Sequence, residues 1–288
     1  MKPAMRYLSL LLFSLAVPAS AQVDLTEFVT FGDSLTHNDL LGQISDIPQD
    51  TYGLDPFQAA FEKAKLAGDD IHSYAVGGSE SSHLITQVNL YHLMVALGGQ
   101  APATTIGMQI GGNDIRNNRG LLAAHAPGTD AAADAIIDDL INNLAIAFGL
   151  AYSNDRQFII WTVPRIVLTP DHADEFTLGG KRNLRHHTER ANDAIWSLAS
   201  MANVAVYDLD AGVRRMSKMP RVLYGHGLIT VPFFGGYDHV FADDLHLTAV
   251  TNAILANGIL ASMRGKWGLS VTPYYDDELA DLAHISHP

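Results

Sequence analysis

Five short runs of β-branched and aromatic residues alternate along this chain with segments of helical spacing, and most of the runs stop at glycine or proline. The runs are Leu25 to Phe31 before Gly32-Asp33, Ile71 to Val76 before Gly77-Gly78, Thr104 to Ile110 before Gly111-Gly112, Gln157 to Val163 before Pro164, and Val204 to Asp208. Between and after them, residues 56–66, 80–97, Ala131 to Tyr152, Lys181 to Met201 and Leu247 to Met263 carry apolar side chains at helical intervals. Parallel strands need crossover connections, and those are usually helical and right-handed. This alternation therefore predicts an α/β fold of three layers, a five-stranded parallel sheet with helices on both faces. Ligands of such sheets sit at the carboxyl ends of the strands. The polar or glycine-rich stretches 37–55 and 218–242 read as loops over that edge. With 288 residues and 48% hydrophobic content spread evenly, residues 22–288 form a single domain in this reading.

Three strand ends and one late segment carry residues suited to acyl-transfer chemistry. Gly32-Asp33-Ser34-Leu35 follows the first run directly, with a glycine for the turn and a serine placed to head the next helix. A hydroxyl there lies beside unpaired backbone N–H groups, which stabilise the negative charge that develops on a carbonyl oxygen. Serine is equally a favoured helix cap. Ala75-Val76-Gly77-Gly78-Ser79 offers N–H groups unobstructed by side chains, though most glycine pairs are simply turns. In Gly111-Gly112-Asn113-Asp114, Asn113 brings an amide donor to the same edge; a cap or turn is its alternative role. Asp243-Asp244-Leu245-His246 is expected to open the last helix. An aspartate three residues before a histidine is spaced to fix the imidazole tautomer and leave the other nitrogen free as a base.

Taken together, Phe31-Gly32-Asp33-Ser34-Leu35, the Gly-Gly block, the Gly-Gly-Asn-Asp block and the Asp-x-x-His tail resemble, in order, the blocks of the GDSL or SGNH hydrolases, over nearly the whole chain after residue 21. The resemblance implies a five-stranded parallel sheet of flavodoxin-like type, with Ser34 as nucleophile, His246 as base and Asp243 as its orienter. It also implies an oxyanion hole made by the Ser34 and Gly78 backbone N–H groups and the Asn113 side chain. Gly78 is chosen over Gly77 because the family block runs like Asn-Tyr-Ala-Val-Gly-Gly, against Ser73 to Gly78 here; Ser73 and the segment Thr36-His37-Asn38-Asp39 depart from the family pattern. Such a site hydrolyses esters through an acyl-enzyme and requires neither a metal nor an organic cofactor. The phenylalanine before Gly-Asp-Ser-Leu is closer to lipase-like members than to carbohydrate deacetylases. Phe233, Phe234, Tyr237 and Phe241 are candidates for lining an acyl pocket, their alternative being to pack a long loop. A carbohydrate acetylesterase, an acyltransferase, and a non-catalytic binder of acylated glycans or lipids are the other functions open to the same residues.

The N-terminal 21 residues have the form of a secretory signal peptide. Lys2 and Arg6 precede an apolar stretch from Tyr7 to Val17, which is followed by Pro18 and by Ala19-Ser20-Ala21 before Gln22. The stretch falls short of the roughly 20 residues a spanning helix needs, so the expectation is export to the periplasm or medium without stable membrane insertion. Loss of those two cations takes the formal charge from −13 to −15. An acidic chain is a poor partner for nucleic acid or an anionic membrane face. With no cysteine, there is no disulfide partner and no thiolate metal site. His172, His186 and His187 fall on or near one predicted helix, but adjacent histidines point about 100° apart and poorly share an ion; they are expected to face solvent.

Overall fold

The computed structural model of the protein describes residues 26–36, 53–64, 71–230 and 236–288. The proposed signal peptide lies outside them. Five strands form one all-parallel sheet: β1 (Phe28–Gly32), β2 (Ile71–Ser73), β3 (Thr105–Gln109), β4 (Gln157–Trp161) and β5 (Val204–Tyr207), in the order β2-β1-β3-β4-β5. The α/β reading therefore holds. Helices α1 (Pro56–Ala64), α2 (Ser81–Ala96), α3 (Gly112–Asn117), α4 (Arg119–Ala124) and α5 (Ala131–Ala151) come before β4; α6 (Leu178–Ser197) precedes β5. After β5 come α7 (Leu209–Lys218), a two-stranded antiparallel hairpin β6 (Val222–Leu223) and β7 (His226–Gly227), α8 (Ala249–Trp267) and α9 (Asp276–Leu282).

Successive side chains of a strand point to opposite faces, and the two cores follow that alternation. Val29, Phe31, Ile106, Met108, Phe158, Ile160, Val204 and Val206 pack with α2, α5 and α6 in one core. Phe28, Ile159, Trp161 and Tyr207 pack with α1, α7 and α8 in the other. Gly107 sits on the second face, where a Cβ would come within 2.9 Å of the Phe57 ring, and that ring stacks on Trp161 at 4.0 Å. The pairing of β2 with β1 continues past its last strand residue, since Tyr74 N–H donates to the Thr30 carbonyl and Val76 N–H to that of Gly32. That is why the apolar run reaches Val76 although the strand proper ends at Ser73.

Strand order reverses between β1 and β3, because one crossover leads outward to β2 and the next returns past β1. A crevice opens at such a switch point, outside the carboxyl ends of the two strands. Gly32 and Gln109 end those strands side by side.

Candidate active site

The turn after β1 is built around a glycine that no other residue replaces without strain. Gly32 has φ 154, and a Cβ on it would lie 2.1 Å from the Gln109 carbonyl oxygen. Gln87 of α2 clamps this residue by both polar groups: Gly32 N–H donates to its Oε1 and its Nε2 donates to the Gly32 carbonyl, each at 2.8 Å. Asp33 turns inward and is buried, accepting from Leu35 N–H at 3.0 Å and Gln109 Nε2 at 3.2 Å. Burial pushes its carboxyl up to about 6, against the lowering effect of those hydrogen bonds and of His246. Ser34 then opens a single 3-10 turn, Ser34–Thr36, closed by Thr36 N–H and Oγ1 donating to the Asp33 carbonyl. The helix expected to start at the serine is thus only this one turn within the described residues.

His246 reaches the same hydroxyl from 212 positions further along the chain. Its Nε2 lies 2.9 Å from Ser34 Oγ, and its Nδ1 lies 2.8 Å from Asp243 Oδ2. Burial would raise the Asp243 carboxyl. It is outweighed by the side-chain hydrogen bond and charge of His246 and by N–H donation from His246 and Leu245, and the group is held at about 2. An ionised Asp243 only accepts, so Nδ1–H donates to it and Nε2 is left to accept from Ser34 Oγ–H. The residues do not open the helix expected over Leu247 to Met263, nor is that helix the last: α8 starts at Ala249 behind Thr248, whose Oγ1 caps Thr251 N–H, and α9 follows it. Asp243 and His246 instead occupy a tight loop closed by Ala242 N–H donating to the His246 carbonyl and flanked by a bridge between Phe241 and Leu247. Asp244 supports that loop through its backbone, its carbonyl accepting from Asp171 N–H at 3.0 Å.

The Gly-Gly block forms a turn in which Ser79 N–H donates to the Val76 carbonyl and Gly78 has φ 78, the sign a type II turn needs at its third residue. This turn lies against the serine, since a Cβ on Gly77 would be 3.9 Å from Ser34 Cβ. Asn113 stands in the first turn of α3, nearly buried, and its Nδ2 donates to the Ser79 carbonyl at 3.0 Å. That bond uses one of two amide protons and fixes the orientation of the other. Asp114 accepts from Ser81 N–H and Oγ and so ties the start of α2 to the end of β3. Ser34, Gly77-Gly78, Asn113 and His246 are in this way drawn to one edge of the sheet.

A small apolar pocket of about 50 Å³ opens beside Ser34 and Asn113, with Leu35, Ile166, Val213, Phe241, Leu245 and Leu247 among its walls. Of the four aromatic candidates, Phe241 is in this wall. Tyr237 is not: its ring stacks on His284 at 3.8 Å and it borders a separate hollow with Tyr224 and His226. Phe233 and Phe234 lie outside the described residues.

The histidine expectation also needs correcting. His172 and His187 are buried, not solvent-facing. His172 is wedged between Asp171 at 3.2 Å and Glu175 at 2.6 Å; α6 packs on α4, and His187 Nε2 lies 2.9 Å from the His125 carbonyl. Only His186 keeps partial exposure. Among the described residues, no group of three or more His, Cys, Asp or Glu side chains is placed to hold a metal ion.

Gln87 is the site residue that motif reasoning missed. Its amide binds Gly32 at both polar atoms and reaches Ser79 Oγ at 3.2 Å, so it joins the nucleophile turn to the glycine turn. A long polar side chain on the inner face of α2, among Leu84, Val88 and Tyr91, was the signal available.

Residues 28–259 match the family described as GDSL-like Lipase/Acylhydrolase. Among solved structures, a lipase, Lip_vut3, from a goat rumen metagenome superposes with a TM-score of 0.54 at 13% identity, covering 82% of this chain and 97% of its own. An extracellular lipase from Streptomyces rimosus gives 0.48 at 15% identity, covering 84% and 99%. Likeness at such identity concerns the fold alone. No curated protein matches the sequence.

Proposed function

Because the chain belongs to the GDSL-like lipase/acylhydrolase family, whose chemistry is ester hydrolysis, we propose that it is an exported serine esterase working through an acyl-enzyme on Ser34. One observation carries this reading: a single hydroxyl 2.9 Å from an imidazole whose other nitrogen is held 2.8 Å from a carboxylate kept ionised. His246 removes the Ser34 proton as Oγ attacks the ester carbonyl. Asp243 holds the ring and stabilises the imidazolium that forms. The oxyanion is held by the Ser34 and Gly78 N–H groups and by the second proton of the Asn113 amide, each such donor being worth roughly 3 kcal/mol in other hydrolases. The imidazolium then protonates the leaving alcohol, and water, deprotonated by His246, releases the acid. Export rests on the composition of residues 1–21; no helix among the described residues is long and apolar enough to cross a membrane.

At about 50 Å³ the pocket has room for only a few waters, each needing roughly 10–15 Å³ of such space, and this favours short acyl groups over long ones. A short-chain carboxylesterase or acetylesterase is accordingly preferred here to a lipase of long acyl chains. The test is p-nitrophenyl acetate hydrolysis by wild type, Ser34→Ala and His246→Ala. Both variants should keep the wild-type thermal midpoint and lose at least about 10³-fold in kcat. Activity retained in Ser34→Ala would overturn the assignment.

A further inference from the structure

A second cavity, of about 770 Å³, lies on the far side of α7 from the site just described, between α7, the edge strand β5, α8 and the end of α6. Its volume is in the range of drug-sized ligand sites, roughly 300–1,000 Å³. Much of its wall is apolar: Trp196, Met216, Met219, Pro220, Ile254 and Leu255 contribute. Two of these are unusually open for their type, Trp196 at 43% and Met219 at 74% exposure. Apolar surface gathered in a hollow, unlike single exposed leucines, marks a place where something apolar is received.

The polar side chains of this cavity differ in how they are already engaged: Asn257 pairs with the Tyr274 backbone through both ends of its amide, and Ser262 Oγ donates to the Gly258 carbonyl. Arg221 is paired with Asp276. Asp208 accepts from Ala211 N–H and Thr162 Oγ1, which ties its carboxylate to the start of α7. Two donors remain. The Tyr207 hydroxyl makes no hydrogen bond among the described residues although its residue is only 9% exposed, and the Arg215 guanidinium has no carboxylate or carbonyl partner there.

Their placement follows from two glycines. A Cβ on Gly212 would come within 2.5 Å of the Tyr207 hydroxyl, and one on Gly258 within 2.2 Å of its ring, so α7 and α8 close on the tyrosine because both positions lack side chains. Arg215 is three residues after Gly212 on α7 and therefore stands on the same helix face, one turn along from the hydroxyl. An unpaired guanidinium and an unpaired hydroxyl at neighbouring points of an apolar cavity form a donor pair for a carboxylate, whose two oxygens accept from both.

We propose that this cavity is a second binding site, for a single-chain carboxylate amphiphile whose head is held by Arg215 and Tyr207 and whose tail lies on Trp196, Met216 and Met219. The inference does not depend on the esterase reading. Helix α7 connects it to the active site, presenting Val213 to the pocket beside Ser34 and Met216 to this cavity.

A bromododecanoate, used below its micellar concentration, tests the proposal by quenching tryptophan fluorescence in the full chain. Saturable quenching is expected in wild type, and Trp196→Phe should remove most of it while calorimetry still shows binding. Arg215→Gln should weaken binding by about 10-fold or more and Tyr207→Phe by about 5-fold, the sizes expected for a charged and a neutral hydrogen bond. Ala211→Phe, which fills the cavity from α7, should abolish it. Hydrolysis of p-nitrophenyl acetate by Arg215→Gln, unchanged from wild type, reports an intact fold. Absence of saturable quenching, an unchanged affinity in Arg215→Gln, or equal quenching by a bromododecyl trimethylammonium cation would each overturn the proposal.

Discussion

Asp33 makes stability depend on pH in a way its own neighbourhood predicts. The carboxyl is 2% exposed and its pKa is raised from 3.8 to about 6, mainly by burial. The folded protein therefore binds this proton more tightly than the unfolded chain does. The stabilisation is complete below the unfolded value near 4 and is lost as pH rises through about 6. A shift of this size corresponds to about 3 kcal/mol at 1.36 kcal/mol per unit. Asn at this position should remove the dependence with little loss of contacts. Its Oδ1 still accepts from Leu35 N–H, and its Nδ2 finds an acceptor if the Gln109 amide turns over, because Gln109 Oε1 is buried without a partner. Urea unfolding of wild type and Asp33→Asn between pH 4 and pH 8 measures the effect. The stability of Asp33→Asn relative to wild type should rise by about 3 kcal/mol between about pH 4 and pH 7 and level off above. Parallel curves would refute the reasoning, since they would show that Asp33 ionises in the fold as easily as in the unfolded chain.

Other outcomes follow from the same geometry. Asp243→Asn should lower kcat on p-nitrophenyl acetate by on the order of 10³- to 10⁴-fold. Asp244→Asn, which leaves the backbone bond to Asp171 intact, should stay within a few-fold. Gly32→Ala should cost more than about 3 kcal/mol or prevent folding, because its Cβ meets a backbone carbonyl. Gly78→Ala, with φ 78 but open space, should cost only about 1–2 kcal/mol in thermal denaturation. Across a p-nitrophenyl ester series, kcat/KM should peak at acetyl to butyryl and fall for longer chains, and Phe241→Ala should move the peak to longer chains by opening the wall. A maximum at palmitoyl in wild type would contradict the narrow pocket.

The strands were legible because parallel strands buried on both faces read as continuous apolar runs, and their ends were legible because glycine is needed where Gly32, Gly78 and Gly111 adopt positive φ. Less visible were α3 and α4, six residues each and so too short for a helical period to show; Gly112, Asn113 and Asn117 of α3 also read as a turn. Helix α7 was also missed. Its apolar positions Leu209, Val213 and Met216 are correctly spaced, but they are separated by Gly212 and two arginines that resemble loop composition. For the site, the serine, the asparagine and the histidine could be read from local blocks. The amide clamp of Gln87, the inward turn of Asp33 and the burial of His172 and His187 depend on partners 55 to 76 residues away or on helix packing, which local spacing does not encode. The pocket walls suffer similarly: Phe241 faces Ser34 only because its bridge to Leu247 folds the histidine loop back, whereas Tyr237 is captured by His284 near the chain's end.

The claim on which the account turns is that the Ser34 oxygen is a deprotonatable nucleophile, and covalent capture measures that most directly. Wild-type protein treated with a fluorophosphonate should gain one adduct, mapped by mass spectrometry to the peptide holding Gly32-Asp33-Ser34-Leu35, and His246→Ala should label far more slowly. An adduct at any other serine, or none at all in folded protein, would contradict it.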